Sequence, residues 1–93
     1  MVKGDGNMTQ FERDRFETSG PYLRYDGKFV ARFKHRGPVT KAKFIRTLVK
    51  HYTPAEYFAR LDAGRAPLQV LMDDGILVFD HPNMKFTLDG KVL

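Results

Sequence analysis

Thr53-Pro54-Ala55-Glu56 joins two apolar-striped segments with no spacer residue between them. Thr53 is a residue type that caps helix N-termini. Pro54 suits the first helical position, where a missing N–H leaves no acceptor unpaired, and Glu56 can bond back to the Thr53 amide. These four residues therefore read as a capping box that starts one helix where another stops. Tyr52 and Tyr57 stand at the two hydrophobic-staple positions, so their rings should pack together and fix the angle between the flanking helices.

Working outward from this corner, the preceding segment opens at Pro38 or Thr40 and runs to Tyr52. Its apolar positions, Phe44, Ile45, Leu48, Val49 and Tyr52, span an arc of about 140° at 3.6 residues per turn, and Lys43, Arg46 and Lys50 fall within about 60° on the other side. One face is expected in the core and the other, basic, face in solvent. After the corner, Pro54 to Ala63 should bury Tyr57, Phe58 and Leu61 and end on Gly64, the residue type favoured just past a helix C-terminus. A third helix is bracketed by Pro67 and Gly75, with Leu68, Leu71 and Met72 facing in. The expected bounds are about 39–52, 54–63 and 67–74.

Both ends of the chain read as β-structure. In Tyr22 to Phe33, Asp26-Gly27 separates two aromatic and β-branched runs, the pattern of a two-residue hairpin turn. Regular pairing sets Tyr25 opposite Lys28, Arg24 opposite Phe29, Leu23 opposite Val30 and Tyr22 opposite Ala31. One face then carries Tyr22, Phe29, Ala31 and Phe33 with Arg24 near the tip; it is expected in the core. The other carries Leu23, Tyr25 and Val30 between Lys28 and Arg32 and is expected to face solvent or a partner. Gln10 to Ser19 reads as an irregular or edge strand. Ile76 to Phe79, Lys85 to Leu88 and Lys91 to Leu93 read as strands joined at Asp80-His81-Pro82-Asn83 and Asp89-Gly90. The expectation is an α+β fold: an N-terminal antiparallel β-hairpin, three short helices, and a C-terminal β-hairpin able to extend the same sheet. Residues 10–93 are expected to form a single domain behind a disordered tail, residues 1–9.

Composition narrows the function. Ninety-three residues with 42% apolar side chains suit one domain with one core, and the absence of Cys removes disulfides, thiolate metal sites and cysteine nucleophiles. Apolar runs such as Ile76 to Phe79 fall far short of the ~20 residues of a membrane span, and Met1 to Thr9 is too polar for a signal peptide. A soluble, cytoplasmic protein without a membrane partner is expected. The net charge of +5 is concentrated: residues 24–50 hold nine Lys or Arg against one acid, and Gly27 to Ala55 holds eight Lys or Arg and no acid. Such a block points to an anionic partner.

Catalytic patterns are missing. His35, His51 and His81 share no metal-ligand spacing, and Asp73, Asp74 and Asp80 read as helix-stop and turn residues rather than cation ligands. Ser19 is the only serine and stands in no nucleophile motif, and the glycines match no phosphate-binding loop. Neither an enzyme, nor a cofactor, nor a metal is expected.

The expected function is a small basic module that binds nucleic acid through Arg24, Tyr25, Lys28, Arg32, Lys34, Arg36, Lys43, Arg46 and Lys50. Lys and Arg would neutralise phosphates and Tyr25 would stack on an unpaired base, with Phe29 and Phe33 kept for the core. The alternative is a non-enzymatic protein-interaction module, an adaptor or inhibitor, docking an acidic protein surface, since Arg and Tyr are also enriched in protein hot spots. Three helices followed by a hairpin is an order similar to that of a winged helix, which implies a third helix in the major groove. Leu68 to Asp74 holds no Lys or Arg and ends in two acids, so DNA would instead meet the first helix and the N-terminal hairpin.

Overall fold

A computed structural model describes residues 10–34 and 37–93. The expected tail, residues 1–9, and the connector residues His35 and Arg36 lie outside the described residues. A 3-10 turn at Arg13–Arg15 leads into a meander of β1 (Phe16–Ser19), β2 (Tyr22–Tyr25) and β3 (Lys28–Arg32). Three helices follow, α1 (Lys41–His51), α2 (Pro54–Asp62) and α3 (Pro67–Asp73), and then a second meander of β4 (Leu77–Asp80), β5 (Lys85–Leu88) and β6 (Lys91–Val92). The fold is α+β, with two separate three-stranded antiparallel sheets; the C-terminal strands do not extend the N-terminal sheet. Among the described residues no helix is long and apolar enough to cross a membrane.

The corner forms as the residue types dictate. Thr53 Oγ1 accepts from the Glu56 amide at 3.1 Å, Glu56 Oε1 accepts from the Thr53 amide at 3.0 Å, and the Tyr52 and Tyr57 rings meet edge to face at 6.0 Å. Thr40 caps α1 in the same way, accepting from the Lys43 amide at 3.2 Å. α2 ends in a Schellman motif: the Arg65 amide bonds the Arg60 carbonyl, the Gly64 amide bonds the Leu61 carbonyl, and Gly64 supplies a φ of 96°. In α3 the buried pair is Val70 and Leu71, while Met72, expected inside, is 40% exposed. The inward face is thus rotated by about one residue. Asp74, at the C-terminal end of this face, accepts the Tyr52 phenol at 2.5 Å.

Side chains from both sheets and all three helices share one buried cluster, running from Phe11 and Leu23 through Phe44, Leu48 and Tyr57 to Leu77 and Leu88. The N-terminal hairpin departs from regular pairing. Tyr25 faces Lys28 and Arg24 faces Phe29 as expected, but a bulge then sets Leu23 opposite Ala31 and Tyr22 opposite Arg32. Val30 is the extra residue, and an extra residue reverses the inside–outside alternation beyond it. The bulge brings Ala31 and Phe33 round to the face of Leu23, Tyr25 and Val30, and this face, expected outside, is the buried one; Phe33 packs on Phe44 at 5.4 Å. Tyr22 and Phe29, assigned to the core from the sequence, stand on the outer face at 37% and 46% exposure.

Candidate nucleic-acid interface

The hairpin turns the opposite face to the core from the one expected, and the bulge moves Arg32 to the other side, so the residues expected to meet a partner are redistributed. Tyr25 is buried, its ring 4.8 Å from Phe11 and 4.7 Å from Phe16, and its hydroxyl accepts from the Glu12 amide at 2.9 Å. It cannot offer a ring face to a base, which corrects the expectation that the Leu23, Tyr25 and Val30 face looks outward. Lys28 and Arg32 do not share a face either. Lys28 lies on the inner side of β3 with its ammonium 5.4 Å from the Phe58 ring, and Arg32, beyond the bulge, points outward.

A different constellation occupies the outer face. Arg24 and Arg32 hold their guanidinium carbons 5.4 Å and 6.0 Å from the centroid of the exposed Tyr22 ring, and Phe29 lies edge to face with Tyr22 at 6.5 Å. Both cations are within cation–π reach. Glu17, opposite Arg24 in β1, is the one acid on the strands of this face. Among the described residues neither Arg24 nor Arg32 forms an ion pair.

The second cationic region is a groove of about 270 Å³ between α1 and the β5–β6 hairpin, and it gathers Lys43, Arg46 and Lys50 with Lys91. The basic side of α1 borders the β5–β6 hairpin, with Arg46 and Lys50 exposed as expected and Lys43 partly covered. Thr47, between these cations on the helix, is buried and bonds back to the Lys43 carbonyl at 2.8 Å. Asp89 is the one acidic side chain lining the groove; it meets His51 Nε2 at 2.7 Å and the Lys50 ammonium at 3.8 Å. Lys91 was missed from the sequence, although the signal was present: a two-residue Asp89-Gly90 turn pairs it with Leu88 and so places it on Leu88's face.

The remaining expected residues lie elsewhere. Lys34 is exposed beside a small hollow lined by Val39, Phe44 and Leu68, and Arg36 is outside the described residues. Lys41 donates to the Gly20 carbonyl, joining the first turn of α1 to the β1–β2 turn. Away from these surfaces carboxylates take internal donors: Asp73 from Arg65 and Gln69, both at 2.7 Å, Asp74 from Tyr52, and Asp80 from Asn83 at 2.6 Å. Among the described residues no three His, Asp or Glu side chains gather where a metal ion could be held. Burial raises the pKa of the Tyr57 phenol, and burial followed by the bond to Asp74 raises that of Tyr52. Both belong to the corner and not to either cationic surface. Comparison with protein-family models, curated proteins and solved structures finds no match to the chain.

Proposed function

We propose that the chain is a cytoplasmic nucleic-acid-binding module that holds the phosphate backbone along the groove between α1 and the β5–β6 hairpin. The observation that carries this reading is the convergence of Lys43, Arg46, Lys50 and Lys91 on one groove against one acidic side chain, Asp89. Four cations from two elements can meet successive phosphates without any change in the core. Each neutralised phosphate releases condensed counterion, so affinity should fall steeply with salt.

The test is binding of a labelled mixed-sequence duplex and the matching single strand over a range of KCl concentrations, followed by fluorescence anisotropy. Replacing Lys43, Arg46 and Lys50 by Gln should lower the duplex salt slope by roughly two to three units, and adding Lys91→Gln by about one more. A wild-type protein with no salt-sensitive binding to either nucleic acid would remove this reading and leave the acidic protein surface as the partner. Full binding by the triple variant would move the backbone contact to Arg24, Lys34 and Arg36.

A further inference from the structure

We infer that the outer face of the N-terminal sheet stacks the unpaired bases of a single-stranded nucleic acid on Tyr22 and Phe29, while Arg24 and Arg32 take the flanking phosphates. This inference rests on the nucleic-acid reading above and adds the strandedness of the ligand.

The observation behind it is the exposure of two aromatic rings, at 37% and 46%, on a strand face that also carries two arginines; Phe29 stands on the edge strand β3, beside a hollow lined by Phe58, Leu61 and Asp62. Phe29 has no polar atom with which to use water, and the remaining exposed side chains of this face are the polar Glu17, Ser19 and Arg32. A partner that covers Phe29 gains its apolar area, and a partner with negative charge on either side of a flat apolar surface matches the arginines. A single strand has both features, since its base faces are free and its phosphates alternate with them. In a duplex those base faces are already stacked on one another and only the edges are presented.

Magnitudes favour the base over the existing contacts. A guanidinium over an exposed ring is worth about two- to fivefold in an equilibrium, whereas a base stacked on an aromatic side chain is worth about five- to hundredfold. An incoming base can therefore displace Arg24 or Arg32 from Tyr22, and the displaced cation is then free for the adjacent phosphate. The 66° angle between the Tyr22 and Phe29 rings means that they receive two bases as separate platforms and not as one continuous stack.

The probes are a fifteen-nucleotide oligo-dT, the matching oligo-U and a fifteen-base-pair duplex, with the full chain. The double variant Tyr22→Leu/Phe29→Leu should bind both single strands at least about twenty-fivefold more weakly, from two stacks of about fivefold or more. Its duplex affinity and duplex salt slope should match wild type. Tyr22→Phe, which keeps the ring, should bind single strands as wild type does, separating loss of stacking from loss of fold. Arg24→Gln/Arg32→Gln should lower the single-strand salt slope by about one to one and a half units. Photocrosslinking of an iodouracil-substituted oligomer should map to the peptide containing Tyr22 or Phe29.

Wild-type single-strand affinity in the Leu/Leu variant, or crosslinks elsewhere, overturns the inference and leaves the groove reading intact. Loss of salt-sensitive binding to every nucleic acid in the wild type overturns both. Binding of poly-L-glutamate in place of any oligonucleotide assigns the face to an acidic protein and also overturns the inference.

Discussion

The Tyr57 phenol donates to the backbone carbonyl of Val30 at 2.6 Å, joining α2 to the bulged residue of β3. Val30 stands outside the β2–β3 register, so its carbonyl takes its partner from a helix rather than from the neighbouring strand. Tyr57→Phe keeps the ring and removes the donor, leaving a buried acceptor unpaired. The expected loss is about 1–3 kcal/mol in chemical denaturation. A loss no larger than that of a surface substitution would show that water replaces the phenol and that the bulge does not depend on α2.

The Asp26-Gly27 turn has φ values of 52° and 81°, both in the left-handed region, as a type I′ hairpin requires. No neighbouring atom lies within 4 Å of where a Cβ on Gly27 would sit, so backbone conformation alone decides the effect of substitution there. Gly27→Val should destabilise clearly more than Gly27→Asn, because a β-branched residue resists positive φ and Asn tolerates it. Thermal melts of the two variants give the ordering, and equal melting temperatures would contradict it.

Stability should fall at alkaline pH. The phenols of Tyr57 and Tyr52 have folded-state pKa values raised above the ordinary value of about 10, chiefly by burial. Once pH passes about 10 the unfolded chain gives up these protons before the folded one does, so it binds fewer protons and stability declines with pH. The contribution is fully present below that pH and is lost above it. Denaturant midpoints should be level from neutral pH to about 9 and then drop, with phenolate absorbance rising together with unfolding. Phenolate absorbance from four tyrosines in a still-folded chain would contradict the buried placement of these two.

Much of the fold was legible because local chemistry determined it. Thr53, Pro54 and Glu56 satisfy helix-end groups within four residues, Gly64 and Gly75 supply positive φ where the helices stop, and Asp-Gly sets both type I′ turns. The faces of the N-terminal hairpin were not legible, because one inserted residue decides them. Before Val30 the odd-numbered residues of β3 point out, and after it they point in, so Phe29 and Phe33 part company. Nothing local to Lys28–Arg32 announces the bulge; it follows from burying Val30 and Ala31 together and from Tyr57, twenty-seven residues away. Without the bulge Ala31 and Phe33 fall on the Tyr22 and Phe29 face and make it look like the core, and that choice put Tyr25 in the expected site and hid Tyr22. Lys43, Arg46 and Lys50 were legible as a cluster from helical spacing alone, whereas the addition of Lys91 to their groove required knowing where the second sheet packs.

The groove makes a prediction of opposite sign to a loss of cations. Asp89 is the one acidic side chain among its lining residues and stands beside Lys50 and His51. Its φ of 54° belongs to the Asp89-Gly90 turn, and Asn is at least as well suited to that conformation as Asp. Asp89→Asn therefore removes a negative charge while keeping the turn and an oxygen that can still accept from His51. The stability cost should be within about 1 kcal/mol, as for other exposed ion pairs. One unit charge a few ångströms from a bound phosphate, in surroundings close to water, is worth on the order of 1 kcal/mol. Duplex and single-strand affinity should accordingly rise several-fold, up to about tenfold. The gain should be largest at low salt and shrink as ionic strength screens the charge. Combined with the Lys43, Arg46 and Lys50 to Gln changes, Asp89→Asn should give a smaller gain, since the backbone no longer sits in the groove. An unchanged affinity in the single variant, with the turn intact by thermal melting, would place the phosphate backbone away from this groove.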